Sequence, residues 1–151
     1  MLLKVLLFAF VFGCATALTA PCNVCKTGSP SGTCKTVTID PCTAQPCGLK
    51  QGTNVTFAVE FTAGAAATAL TSTVYGIIAG TPIKFNLPNP NGCKDSGIAC
   101  PLVAGQTYTY TDQLYVSELY PSINLVVQWS LLDQASNPIF CILAPAKIVS
   151  K

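Results

Sequence analysis

Apolar and polar residues alternate in short runs along most of this chain. The clearest run starts at Val55, where Val55, Phe57, Val59 and Phe61 alternate with Thr56, Ala58, Glu60 and Thr62. A period of two sends successive side chains to opposite faces of a strand, so this run predicts a strand with one buried face. The rhythm returns at Val37 and Ile39, at Ile83, Phe85 and Leu87, and at Ile123, Leu125, Val127, Trp129 and Leu131. Thr71 to Ala79 is rich in β-branched residues, and Thr107 to Leu114 carries Tyr108 and Tyr110 on one face. Two closing segments are expected, Ile139 to Leu143 and Ala146 to Val149. Clusters such as Pro88-Asn89-Pro90-Asn91-Gly92 separate the runs. Ala63 to Leu70 is the one stretch with helical propensity, and Gly64, two threonines and its shortness count against it. Short strands at this spacing predict an all-β fold, an antiparallel sandwich or barrel.

The N-terminus breaks the pattern. Lys4 precedes an unbroken apolar run from Val5 to Phe12, and Cys14-Ala15-Thr16-Ala17 supplies small residues. This order predicts a secretory signal peptide over residues 1–17, cleaved after Ala17, with 18–151 as one domain. No later segment offers about 20 uninterrupted apolar residues, so the mature protein is expected to be soluble.

Charge narrows the function classes. Charged residues are 9% of the chain, against about 25% in a typical soluble domain. Eight lysines face six acids, with no arginine. Nucleic-acid binding needs clustered Lys and Arg and is not expected. There is no histidine, which removes the commonest general base and the commonest metal ligand. No two of Asp40, Glu60, Asp95, Asp112, Glu118 and Asp133 are spaced to pair on a helix. The chain is therefore expected not to be an enzyme and to need no cofactor or metal.

Nine cysteines are present, and Cys14 falls in the expected signal peptide. The remaining eight read as four disulfides in an oxidising compartment, with connectivity left open by the count. Cys22-Asn23-Val24-Cys25 has the spacing of a redox dithiol or half a zinc site. It lies outside any βαβ pattern, so two cysteines of separate structural disulfides are the better reading. Asn54-Val55-Thr56 is an N-glycosylation sequon at a strand start, which marks Asn54 as a candidate site.

Several motifs then converge. Pro41-Cys42-Thr43-Ala44-Gln45-Pro46-Cys47 is followed by Leu49 and Gly52. Asn91-Gly92-Cys93-Lys94 runs to Cys100-Pro101, then to Gly105, Tyr108 and Tyr110. Tyr120-Pro121-Ser122-Ile123 leads into Leu125-Val126-Val127-Gln128-Trp129, and Cys141 precedes Pro145 to Ser150. In order and spacing the mature chain resembles the ML lipid-recognition family.

The resemblance implies an immunoglobulin-like β-sandwich of two antiparallel sheets, with an apolar ligand cavity between them. It implies disulfides Cys42–Cys47 and Cys93–Cys100, and a long bridge from Cys25 to Cys141. Cys22 and Cys34 then pair, a departure from vertebrate members; exchange of Cys22 and Cys25 remains an alternative. The second cysteine loop is one residue longer than in those members. The family's tunnel-mouth residues fall at Phe85, Val116 and Tyr120. Ile83, Leu49, Tyr110, Leu114, Val127 and Trp129 occupy places consistent with the pocket wall. Lys84 replaces a proline near the mouth, and Ile142 replaces a tryptophan after the last cysteine.

The implied function is non-catalytic binding and transfer of a sterol such as cholesterol by a monomer. The implied partners are the apolar lipid, a transiently touched membrane and a membrane sterol transporter. The implied location is secreted or lysosomal. Alternatives are a carrier of fatty acids or semiochemicals, and an extracellular innate-immune lipid-recognition domain.

Overall fold

The computed structural model describes residues 16–151. The expected signal peptide lies outside the described residues apart from Thr16 and Ala17. Among the described residues nine strands make up the element order: β1 (Leu18–Pro21), β2 (Thr33–Asp40), β3 (Cys47–Lys50), β4 (Asn54–Thr62), β5 (Thr71–Ile78), β6 (Thr81–Phe85), β7 (Thr107–Tyr115), β8 (Asn124–Leu132) and β9 (Pro138–Val149). They form a four-stranded sheet ordered β1-β2-β4-β7 and a five-stranded sheet ordered β3-β9-β8-β5-β6.

The inward face of each strand is the one its alternation marked. Val55, Phe57, Val59 and Phe61 of β4 are buried against Val74 of β5, Leu125, Val127, Trp129 and Leu131 of β8, and Phe140 of β9. Full burial of such a side chain contributes about 1.5–3 kcal/mol relative to exposure, so these two facing rows dominate the fold. Aromatic contacts tie the sheets together. Phe57 meets Trp129 at 5.0 Å between ring centroids, and Phe61 meets Phe140 at 5.3 Å. The polar ends of the buried aromatics are satisfied: Trp129 Nε1 donates to Ser72 Oγ at 2.6 Å, and the Tyr110 hydroxyl donates to Asp112 Oδ2 at 3.0 Å.

Three details differ from the sequence-based expectation. The antiparallel description holds for every strand pair except one: β3 pairs β9 in parallel, Cys47 opposite Ala146 through Lys50 opposite Val149. The two expected closing segments are one continuous strand, β9, with Pro145 inside it. The Ile148 N–H donates to Ile123 on the β8 side, whereas the Leu143 N–H donates to Asn23 on the other. By alternation the Pro145 nitrogen also faces that other side, just short of where the β3 ladder begins, so its missing N–H breaks no sheet bond. Finally, Ala63 to Leu70 is not helical. Its backbone is committed elsewhere: Ala63 N–H donates to Gln106, and Ala67 and Leu102 exchange bonds.

Among the described residues four disulfides close the frame: Cys22–Cys34, Cys25–Cys141, Cys42–Cys47 and Cys93–Cys100. Cys25–Cys141 spans 116 residues of sequence, and it ties the N-terminal segment to β9.

Candidate functional site

Leu49 from β3, Leu114 from β7, Leu125 and Val127 from β8, Ile148 from β9 and the loop residue Val116 surround a narrow slot. Its lining has no carboxylate, amine or amide side chain. The slot is almost closed, at about 10 Å³, which is near the minimum for one water molecule. Outside it lies an apolar vestibule of about 230 Å³, bordered by Ile78, Ile83, Lys84, Pro121 and Ile123. Phe85, Tyr120 and Ile148 line both spaces, so they form the partition between them.

That partition has a defined construction. The Phe85 and Tyr120 rings meet edge to face, 5.2 Å apart and at 89°, a favoured aromatic arrangement. Phe85 also lies over Gly76 of β5. A Cβ at Gly76 would come within 2.5 Å of Phe85 Cε2 and 3.1 Å of Leu125 Cδ1. Carbon atoms pack at about 3.5–4.0 Å, so only glycine leaves room for the ring there. Gly76 sits opposite Ile83 in β6 and Val127 in β8, which places this recess at the slot.

The other side of the mouth is built from the β3–β4 turn. Gly52 N–H donates to the Val116 carbonyl at 2.7 Å, and Val116 N–H donates to the Thr53 carbonyl at 2.9 Å. The Gln51 side-chain amide donates to the Tyr120 carbonyl. Val116 and Tyr120 are thus held at both ends of one short loop, while Leu119 between them is 92% exposed. Ile83 is also exposed, on the far rim.

The candidate residues therefore separate into three groups. Leu49, Phe85, Leu114, Val116, Tyr120 and Val127 come together at the slot. Ile83 stands at the vestibule rim with Lys84. Tyr110 and Trp129 point inward but lie among Phe57 and Phe140, not along the slot. Their alternation gave the correct face and carried no information on depth along the sandwich. Leu125 and Ile148 line the slot and were not singled out from sequence, although both lie in the alternating apolar rows. Ile142 is fully buried in the core.

Burial raises the Tyr110 phenol well above its usual range, with the Asp112 charge adding to the effect. Burial also raises the Asp112 carboxyl, partly offset by hydrogen bonds from the Gln113 N–H and the Tyr110 hydroxyl. Among the described residues no group of three or more His, Cys, Asp or Glu is placed to hold a metal ion.

Residues 19–148 match the family described as the ML domain. The chain belongs to the ML domain family. Among its relatives, NPC intracellular cholesterol transporter 2 of Sus scrofa is 42% identical over 136 residues, covering 90% of this chain and 91% of that protein. The protein of the same name from Danio rerio is 39% identical over 146 residues, covering 97% and 95%. The crystal structure of a Niemann-Pick type C2 protein from Japanese carpenter ant superposes with a TM-score of 0.78 at 25% identity, covering 85% of this chain and 98% of that one. This ML domain thus shares both its sequence and its sandwich with that group.

Proposed function

We propose that this ML domain binds a sterol between its sheets and transfers it between membranes, without chemistry. The observation that carries the reading is the apolar slot closed by Phe85 and Tyr120, in a chain whose relatives are named cholesterol transporters. A sterol is a flat apolar plate, and the inner faces of a sandwich lie about 10 Å apart. Burying about 400 Å² of its surface releases on the order of 10 kcal/mol gross. Lost translational freedom and ordering take back part of this. The net lies in the micromolar to nanomolar range.

Loading requires Phe85 and Tyr120 to part and the slot to widen. The disulfide-tied frame holds the sandwich while the loop 116–121 and β6 move. Exposed Leu119 and Ile83 flank the mouth and suit brief contact with a membrane surface. By kinship the working place is the lysosomal lumen or the extracellular space, with a membrane sterol transporter as acceptor.

The test is uptake of a fluorescent sterol by the mature protein, followed by transfer between donor and acceptor vesicles. Binding at low micromolar concentration with collision-dependent transfer supports the reading, and absence of binding at that concentration refutes it. Lys84 favours a second reading. It is the charged residue of the vestibule lining, and it suits an amphiphile with an anionic head, such as a fatty acid. Native mass spectrometry of the loaded protein separates the two by the mass of the lipid that co-purifies.

A further inference from the structure

A second concavity lies away from the slot, on the outer side of β4 and β7. It measures about 440 Å³ and is lined by Asn54, Thr56, Asn89, Asp95, Thr111 and Gln113, among others. Its character is the opposite of the slot's, since amides, hydroxyls and carboxylates surround it. Asn54 opens β4 and is exposed, while its neighbour Val55 is fully buried inside. In the β4–β7 ladder Asn54 stands directly opposite Tyr115. Side chains so placed are about 5 Å apart at Cβ. Tyr115 is 48% exposed.

From these placements we infer that Asn54 carries an N-linked glycan whose first sugars lie along this groove and against Tyr115. The sequon Asn54-Val55-Thr56 has both its polar residues on the groove side of the strand. The bond forms in the secretory lumen before the strand folds. The Asn54 amide nitrogen joins the anomeric carbon of an oligosaccharide, the nitrogen loses one proton, and the polyprenyl diphosphate that carried the sugar leaves. In the folded protein Gln113 Oε1, Asn89 Oδ1 and the Asp95 carboxylate can accept bonds from sugar hydroxyl and acetamido groups. The Tyr115 ring offers an apolar platform for the sugar's C–H face.

The placement also gives the glycan a role. β7 is an outer strand of its sheet. The Thr111 N–H is bonded to the Ser96 carbonyl at 2.9 Å, the cover supplied by the second cysteine loop. An unpaired strand edge is a template for pairing with another chain. A bulky sugar beginning at Asn54 screens the Tyr115 end of that edge.

The test uses the full chain secreted from a eukaryotic host. Intact mass before and after an amidase that removes N-glycans should differ by one glycan. The glycan should be absent in Thr56→Ala and retained in Thr56→Ser. No mass change in the parent overturns the inference. The seat is tested by Tyr115→Ala and Gln113→Ala in the glycosylated and enzymatically deglycosylated forms. Each substitution should lower Tm by about 3 °C more in the glycosylated form. Equal shifts in the two forms show that the sugar does not lie there and overturn the seat. Neither readout involves the lipid, so the result stands or falls apart from the carrier reading.

Discussion

Replacing Gly76 by alanine probes the partition directly, because the recess it leaves is occupied by the Phe85 ring. The added Cβ would sit 2.5 Å from Phe85 Cε2 and 3.2 Å from Phe85 Cζ. Ordinary carbon contacts lie near 3.5–4.0 Å, so the ring must withdraw by about 1 Å. β5 is paired on both sides, to β6 and to β8, and its backbone is the less able of the two to move. Inserting one carbon into a packed site costs about 1–3 kcal/mol. At roughly 4 °C per kcal/mol for a domain of this size, Tm should fall by about 4–12 °C. The displaced ring also loses its edge contact with Tyr120, a pairing worth about 0.5–1.5 kcal/mol. If that contact holds the mouth shut, sterol entry should quicken by roughly 2- to 10-fold, the kinetic equivalent of that energy. Stopped-flow energy transfer from Trp129, the single tryptophan, to a fluorescent sterol measures the rate. In a Phe85→Ala background the same glycine change should give no further acceleration. A lowered Tm with an unchanged entry rate would refute the partition, since the ring would then have moved without opening anything.

Four further outcomes follow from the geometry. Val116→Phe should fill the slot and abolish sterol uptake while leaving the near-UV circular dichroism of the core in place; unchanged uptake would mean the entrance lies elsewhere. Ser72→Ala should strand the Trp129 N–H in the core and lower stability by about 1–3 kcal/mol in urea unfolding, a loss that Ser72→Thr should largely spare. Removing the Cys25–Cys141 bridge by paired serine substitution should cost about 4–5 kcal/mol, given its 116-residue span, on the chain-entropy account; a loss below 1 kcal/mol would mean that the N-terminal segment contributes little constraint. Asp112 has a folded pKa raised above its unfolded value, chiefly by burial. The folded state therefore holds its proton longer, and stability from this group falls as pH rises from the ordinary carboxylate range through the raised value. Asp112→Asn should remove that fall while keeping an acceptor for the Tyr110 hydroxyl, so its Tm advantage should grow from acid to neutral pH; a pH-independent difference would contradict the assignment.

Much of the fold was legible because most strands are long and bury one face. Val55 to Phe61 and Leu125 to Leu131 show their period over several residues, and the structure buries those very positions. β1 and β3, at four residues each, are too short to display a period. The parallel placement of β3 is a matter of chain crossing that no local pattern records. Pro145 split β9 on paper, since its tolerance depends on which neighbour its nitrogen faces. At the site, Phe85 lay in an alternating run, whereas Val116 and Tyr120 were accessible through kinship and not through periodicity, because they lie outside any strand. Gly76 left no signal at all: a glycine in a strand is informative only when the ring that covers it is known.

The slot's lining has one further consequence for how such a carrier works. That lining carries no carboxylate, amine or imidazole side chain, so the slot itself offers no group that changes charge near neutral pH. Loading and unloading are then governed by the lipid's chemical potential in the bilayers on either side. The protein would equilibrate two pools and would reverse direction whenever the gradient does. Any net flow in one direction must be imposed from outside, by whatever keeps the receiving pool depleted.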